Sequence, residues 1–265
     1  MSYNVNSVKN VLKVALAVCA VCSIVISSAA VLLKPMQTAN MLLDRNKNIL
    51  MAAGMFDPAE HTNVDVDQLF SAFTPRLVDL QTGRFLADDD AQRLGLDANT
   101  YDQLRAQTDP NLSIALSGQE DVASVRRRAN YATVYTLDGD TPGEYEIIVL
   151  PVSGYGLWGI MYGYLALESD ANTIRGLGFY DHGETPGLGG EISNPRWLGQ
   201  WPGKRVYDDG GDIAFRVVKG GGSGEHQVDG LAGATLTSNG VENMIEFWLG
   251  ELGFGPFLAN EIHGG

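Results

Sequence analysis

The sequence predicts an α+β chain: one N-terminal transmembrane helix, then a soluble domain with a largely antiparallel sheet and flanking helices. Three observations predict it. Residues Val14 to Leu33, VALAVCAVCSIVISSAAVLL, carry no charge, and at 1.5 Å per residue such a run spans about 30 Å, the hydrocarbon thickness of a bilayer. From about Tyr131, segments rich in β-branched and aromatic residues alternate with turn signals. Near the end, Val241, Met244, Ile245, Trp248 and Leu249 recur at three- and four-residue spacing and mark one face of an amphipathic helix.

Four segments follow. Residues 1–13 are expected as a short cytoplasmic tail and 14–34 as the span. Residues 35–129 are a membrane-proximal helical and mixed region, and 130–265 are the main folded domain. A signal peptide is the rival reading of the apolar run, with SSAA (Ser27–Ala30) as a cleavage site. The apolar core of a signal peptide is shorter, about 7–15 residues, which favours a retained anchor. Lys9 and Lys13 on one side face Lys34, Arg45 and Lys47 on the other, so charge alone leaves the orientation undecided.

After Lys34-Pro35 a helical pattern continues through MLLDRNKNILMAAGMF and ends near Gly54, with Asp57-Pro58 beyond it. NVDVDQLFSAFTPRLVDLQTGRF mixes a helical piece with a strand that ends at Thr82-Gly83. DAQRLGLDANTYDQLRAQTDP reads as surface helix and loop. YATVYTL, YEIIVLPV, IMYGYLALE, TIRGLGFYD and IAFRVVKG read as strands. The turn DGDTPGE carries Asp138 and Asp140, but Pro142 falls where a calcium loop needs a third oxygen ligand. Asn239, with Glu242 three residues on, fits an N-cap and capping box for the last helix.

The chain has 265 residues and a formal net charge of −14. Such an acidic surface repels phosphate backbones, so the balance argues against nucleic acid as a partner. Both cysteines, Cys19 and Cys22, lie inside the apolar run, which leaves no disulfide framework for the soluble part. A small hydrophobe facing lipid or a partner helix explains them more simply than metal or redox chemistry. No metal-ligand spacing and no dinucleotide fingerprint is visible.

Two glycine-rich stretches could carry a site. In DGLAGATLTSNG, Asp229 to Gly240, an acid, two glycines and three hydroxyls precede the last helix. A helix N-terminus offers unpaired N–H groups and a positive dipole end, so it suits a phosphate. Gly230 and Gly233 let the backbone approach a bulky group. A plain polar turn with a cap would use the same residues. In HGETPGLGGEI, His182 to Ile192, Pro186 sets a turn, Gly187, Gly189 and Gly190 expose backbone donors, and Leu188 can cover an apolar ring. KGGGSGEH (Lys219–His226) lacks the Gly-Lys-Ser/Thr ending of a P-loop and reads as a mobile loop delivering the turn. The run Arg126–Arg128 reads as a solvated face.

DGLAGATLTSNGV resembles the flavinylation motif of the FMN-binding domain family, shared by the C subunit of the Na+-translocating NADH:quinone oxidoreductase and the G subunit of the Rnf complex. The usual pattern is Asp-Gly-x-Ser-Gly-Ala-Thr. Asp229, Gly230, Gly233 and Ala234 match it, while Ala232 stands where serine or threonine is usual. In that family FMN is joined through its phosphate to the threonine of Gly-Ala-Thr, so the resemblance implies covalent FMN on Thr235, with Thr237 and Ser238 in the same turn. HGETPGLG resembles a second segment of the family and implies flavin contacts from Glu184, Thr185, Gly187, Leu188 and Gly189. GYGLWGIMYGY (Gly154–Tyr164) is a third likeness, in which Leu157 and Trp158 border the ring unless Trp158 is a core residue. The N-terminal anchor, VDLQTGRF (Val78–Phe85) and FWLGELG resemble the NADH:quinone oxidoreductase branch rather than the Rnf one. Residues 130–265 are therefore expected as the FMN-binding domain.

The resemblance implies an electron-transfer role within a complex of a bacterial inner membrane, with the flavin domain on the periplasmic side. It implies the other membrane subunits of the complex and a flavin transferase as partners. No residue of this chain is expected to act as acid, base or nucleophile in turnover, and no metal is expected. The competing readings are an Rnf-type electron-transport protein and a membrane-anchored, noncovalent ligand-binding or sensor domain.

Overall fold

A computed structural model describes residues 8–262. The expected tail, residues 1–13, lies largely outside the described residues. Helix α1 runs unbroken from Val8 to Ala52 with Pro35 inside it. It includes the apolar run, whose large side chains are exposed, between 46% at Leu33 and 76% at Leu32. By length and composition α1 is the one described helix able to cross a membrane. Pro35 costs the helix one hydrogen bond, and it falls just past the apolar run.

Residues up to Asp44 form one unit, and Arg45 onward form a second, compact one. In the second unit, α2 (Val66–Phe70) leads to β1 (Phe73–Asp79) and β2 (Arg84–Phe85). Short helices α3 (Asp88–Leu94) and α4 (Gln103–Thr108) precede the pair β3 (Ser113–Ala115) and β4 (Arg127–Ala129). Four long strands follow: β5 (Tyr131–Asp138), β6 (Tyr145–Tyr155), β7 (Ile160–Glu168) and β8 (Ile174–Asp181). They join β1 and β2 in a six-stranded sheet of order β2-β1-β5-β6-β7-β8, antiparallel throughout. The sheet thus draws strands from both sides of residue 130.

After β8, a 3₁₀ turn (Gly189–Ser193) and α5 (Pro195–Leu198) lead to β9 (Arg216–Val218) and β10 (Gln227–Asp229), which pair in parallel. Helix α6 (Thr235–Leu249) and the short α7 (Gly255–Phe257) complete the domain. The strand expected over IAFRVVKG contracts to three residues because only Arg216–Val218 finds a partner.

Helix α6 buries Val241, Met244, Ile245, Trp248 and Leu249, the expected face. It approaches β6 closely: a Cβ on Gly240 would stand 2.4 Å from the Tyr155 carbonyl oxygen, and one on Gly154 would stand 2.7 Å from Met244. Trp248 Nε1 donates to the Ser153 carbonyl at 2.7 Å. The end of α1 seats against β8. Its Ile49, Leu50 and Ala52 are buried, a Cβ on Gly176 would stand 2.3 Å from the Ala52 carbonyl, and Arg175 Nε donates to the Ala53 carbonyl at 2.6 Å.

Local expectations are corrected at three places. Helix α6 starts at Thr235 with Ala234 as its N-cap, so the expected Asn239 cap lies inside the helix. Glu242 bonds Val217 N at 2.6 Å instead of closing a capping box, because the preceding turn is already tied down from within. The Arg126–Arg128 run is a solvated face only in part: Arg126 is exposed, whereas Arg128 is 4% exposed. The Arg128 Nη1 donates to the carbonyls of Leu80 at 3.1 Å and Leu252 at 2.5 Å, and burial pushes the guanidinium pKa down against the opposing Asp79 charge. The Lys219–His226 loop is tied rather than free, since Asp229 Oδ1 accepts from Gly222 N at 2.7 Å and Lys204 Nζ donates to the Gly224 carbonyl at 2.7 Å.

Candidate functional site at the start of helix α6

Strand β10 delivers the chain to a turn at Leu231–Ala234, and α6 begins at once. Gly233 has φ +76°, a left-handed conformation that a side-chain-bearing residue adopts only at a cost. Ser238 closes the turn from inside. Its hydroxyl accepts from Leu231 N at 2.9 Å and donates to the Ala234 carbonyl at 3.0 Å. Thr237 is fully buried, at 0% exposure, and its hydroxyl donates to Glu184 Oε2 at 2.5 Å. Thr235, at the first helical position, is exposed.

The three hydroxyls of the turn therefore divide. Two are committed to holding the structure, and one faces outward. The N-cap residue, Ala234, brings no side-chain acceptor, so the first amides of α6 are left for water or a ligand. Their dipole end favours an anion at that place.

Asp229 lies behind the turn. Its side chain holds the glycine-rich loop at Gly222. Its backbone N donates to Gln200 Oε1 at 2.9 Å, and its carbonyl accepts from Trp197 Nε1 at 2.7 Å. Gly230 leaves no slack either, with a hypothetical Cβ 3.3 Å from the Ser238 hydroxyl and from the Val218 carbonyl. These residues set the position of the turn.

The other two predicted segments meet it through Glu184, which is 5% exposed. Glu184 Oε1 accepts from both Leu157 N and Trp158 N at 2.9 Å, and Oε2 accepts from Thr237. Leu157 and Trp158 form the tip of the β6–β7 hairpin, 42% and 65% exposed. Trp158 is thus no core residue. Leu188 is 47% exposed, and its Cδ2 lies 3.4 Å from where a Cβ on Gly233 would stand. The leucine therefore borders the turn directly.

Thr185 and Gly187 are exposed and Gly189 is buried. Of the expected backbone donors, Gly190 N donates to the Thr185 carbonyl at 2.9 Å, as does the neighbouring Leu188 N at 3.1 Å, so these two amides serve their own loop. Sequence reasoning missed Leu236, exposed at 60%, and Tyr155, exposed at 43%. Leu236 directly follows Thr235, and Tyr155 begins the hairpin tip. An apolar residue at the second position of a helix entrance was the available signal for Leu236. On β8, burial pushes the Tyr180 phenol up, and the neighbouring Tyr162 and Asp181 push it the same way.

The family model for the FMN-binding domain matches residues 156–250, from the hairpin tip to the end of α6. The C subunit of the Na(+)-translocating NADH-quinone reductase of Pseudomonas aeruginosa is 50% identical over 263 residues, covering 97% of this chain and 97% of the relative. The Yersinia pestis protein of the same name is 48% identical, covering 98% and 96%. The crystal structure of Shewanella oneidensis NqrC superposes with a TM-score of 0.75 at 36% identity, covering 86% of this chain and 100% of that one. The corresponding protein from Parabacteroides distasonis gives a TM-score of 0.64 at 27% identity, covering 85% and 96%.

Proposed function

The chain belongs to the NqrC family, the C subunits of the Na+-translocating NADH-quinone reductases, and from that premise we propose that it carries its FMN as a phosphoester on Thr235. Family membership itself makes the chain an FMN-binding, electron-transferring part of that oxidoreductase complex. Full-length likeness to NqrC sets aside the Rnf-type reading.

The observation that carries the proposal is the division of the hydroxyls. Thr235 alone of the three is exposed, and it stands at the uncapped start of a 15-residue helix. A phosphate on its Oγ would meet the free amides and positive dipole end of α6. Exposed Leu188, Leu157, Trp158 and Leu236 offer apolar cover for a planar ring. The residues present therefore fit a phosphate-linked flavin. FMN, when bound, supplies the one- and two-electron chemistry. The chain supplies attachment, apolar cover and a fixed helix dipole.

Attachment is a maturation step. Thr235 Oγ1 would attack the flavin-side phosphorus of FAD, so that an Oγ1–P bond to FMN forms, the pyrophosphate bond breaks and AMP leaves. A flavin transferase supplies the base that takes the hydroxyl proton. The chain shows no dinucleotide fingerprint in its sequence, so NADH is oxidised elsewhere in the complex and this flavin relays electrons towards quinone. With α1 in the bacterial inner membrane and the flavin domain in the periplasm, covalency prevents loss of a cofactor that could not readily be replaced.

In-gel fluorescence tests the linkage. A flavin band that survives denaturing electrophoresis is expected; a colourless band with free flavin in the supernatant supports the noncovalent sensor reading instead. A reporter fused after Gly265 tests orientation. Activity only outside the cytoplasm is expected, and activity only inside it reverses the topology and removes the reason for covalency.

Leu188→Glu tests the apolar cover. Covering a leucine is worth about 1.5–3 kcal/mol, and a carboxylate there would face the ring. Flavin should remain attached, with an altered visible spectrum and slower electron transfer. An unchanged spectrum and rate would place the ring elsewhere.

A further inference from the structure

We propose that Glu184 is a positioning residue, whose carboxylate clasps the Leu157–Trp158 hairpin tip to the flavin-bearing end of α6. The inference rests on the reading of Thr235 as the attachment point. It assigns Glu184 a role behind the flavin rather than in contact with it.

The close approach of α6 at Gly240 reaches Tyr155 and Gly156 at the base of the hairpin tip, but Leu157 and Trp158 lie beyond it. Leu157 and Trp158 are 42% and 65% exposed, so their side chains are only partly packed. Within the tip, Gly156 N donates to the Gly159 carbonyl at 2.8 Å, which closes the turn without aiming it. The two amides that could aim it both go to Glu184 Oε1, at 2.9 Å each. The other oxygen holds Thr237, two residues after the acceptor threonine, at 2.5 Å. One carboxylate thus links segments 27 and 53 residues away in sequence. Glu184 also begins the stretch that carries Leu188.

Two glycines are built around this carboxylate. A Cβ on Gly156 would stand 2.5 Å from Oε1. One on Gly189 would stand 2.5 Å from Oε2 and 2.6 Å from the Thr237 hydroxyl. Burying a carboxylate is costly unless it is hydrogen-bonded, and here three donors converge on it. Core packing alone would be served as well by an apolar side chain. A side chain that instead captures the amides of two exposed apolar residues serves their placement.

The test uses the full-length, flavin-loaded chain and three variants. Glu184→Ala removes the clasp. Glu184→Gln keeps an acceptor for the two amides and turns its NH2 towards the Thr237 hydroxyl. Thr237→Val cuts the link to α6 alone. In Glu184→Ala, hydrogen exchange at the Leu157 and Trp158 amides should speed up by about tenfold or more, with the Val149, Leu150 and Val152 amides of β6 unchanged. The visible circular dichroism of the bound flavin should change, although the flavin stays on Thr235. Glu184→Gln should restore exchange to within about threefold of the parent and recover the dichroism.

Thr237→Val should leave the tip amides protected while changing the dichroism. If Glu184→Ala does not fold, this variant carries the test. Unchanged dichroism in Thr237→Val, or unchanged tip exchange in Glu184→Ala, with flavin on Thr235, overturns the clasp alone. Flavin found on another residue of the parent chain overturns the attachment reading, and the clasp with it.

Discussion

Replacing Thr235 with valine is expected to abolish covalent flavin, while Thr237→Ala leaves the flavin attached. The two threonines are two residues apart and chemically equal, so the contrast comes from their surroundings. Thr235 is exposed at the first helical position, where valine keeps the shape and loses only the oxygen. Thr237 is at 0% exposure, with its hydroxyl given to Glu184. Its removal leaves a buried carboxylate oxygen short of a donor, at about 1–3 kcal/mol. The cost falls on stability and not on the chemistry of attachment. Denaturing gel fluorescence reads the first effect and a thermal melt reads the second. A fluorescent band in Thr235→Val would reverse the assignment.

The second large effect is expected from Gly240→Ala. On helix propensity alone, alanine gains about 1 kcal/mol over glycine in a helix interior. Here the new Cβ would stand 2.4 Å from the Tyr155 carbonyl and 3.1 Å from Gly156 Cα, both backbone atoms. No rotamer can relieve that contact, so α6 or the end of β6 must move. Overpacking of this kind costs about 1–3 kcal/mol, and a near-backbone collision belongs at the upper end, so sterics win. A fall in Tm of several degrees is expected, since about 1 kcal/mol shifts a domain of this size by roughly 2–4 °C. The displaced elements carry the turn before Thr235 and the hairpin tip, so on the proposed attachment flavin loading should also fall. A raised Tm would show that propensity dominates and that α6 has slack against β6.

What the sequence made legible was local. The amphipathic face of α6 could be read because its period belongs to the helix itself. The strands β5 to β8 could be read because β-branched and aromatic runs end at recognisable turns. What could not be read depends on distant partners. Arg128 looks solvated beside Arg126 and Arg127 until the Leu80 and Leu252 carbonyls close around it. Glu184 looks like one more polar residue in a glycine-rich loop until the hairpin tip and Thr237 reach it. The helix start was misplaced because Thr235, Thr237 and Ser238 look like a string of cap candidates. Their division into one exposed and two buried hydroxyls needs the turn to be folded. The seating of α1 on β8 had a faint signal in Gly176 and Gly178, whose lack of side chains permits close approach.

The central claim is that Thr235 is the residue bearing the flavin. Fragmentation mass spectrometry of the mature chain, purified from its native membrane, tests this most directly. The account predicts an FMN adduct, joined through its own phosphate and confined to the peptide containing Leu231 to Gly240, with fragment ions that place the added mass on Thr235. An adduct on Thr237 or Ser238, or an unmodified peptide from a chain that still holds flavin, would contradict it.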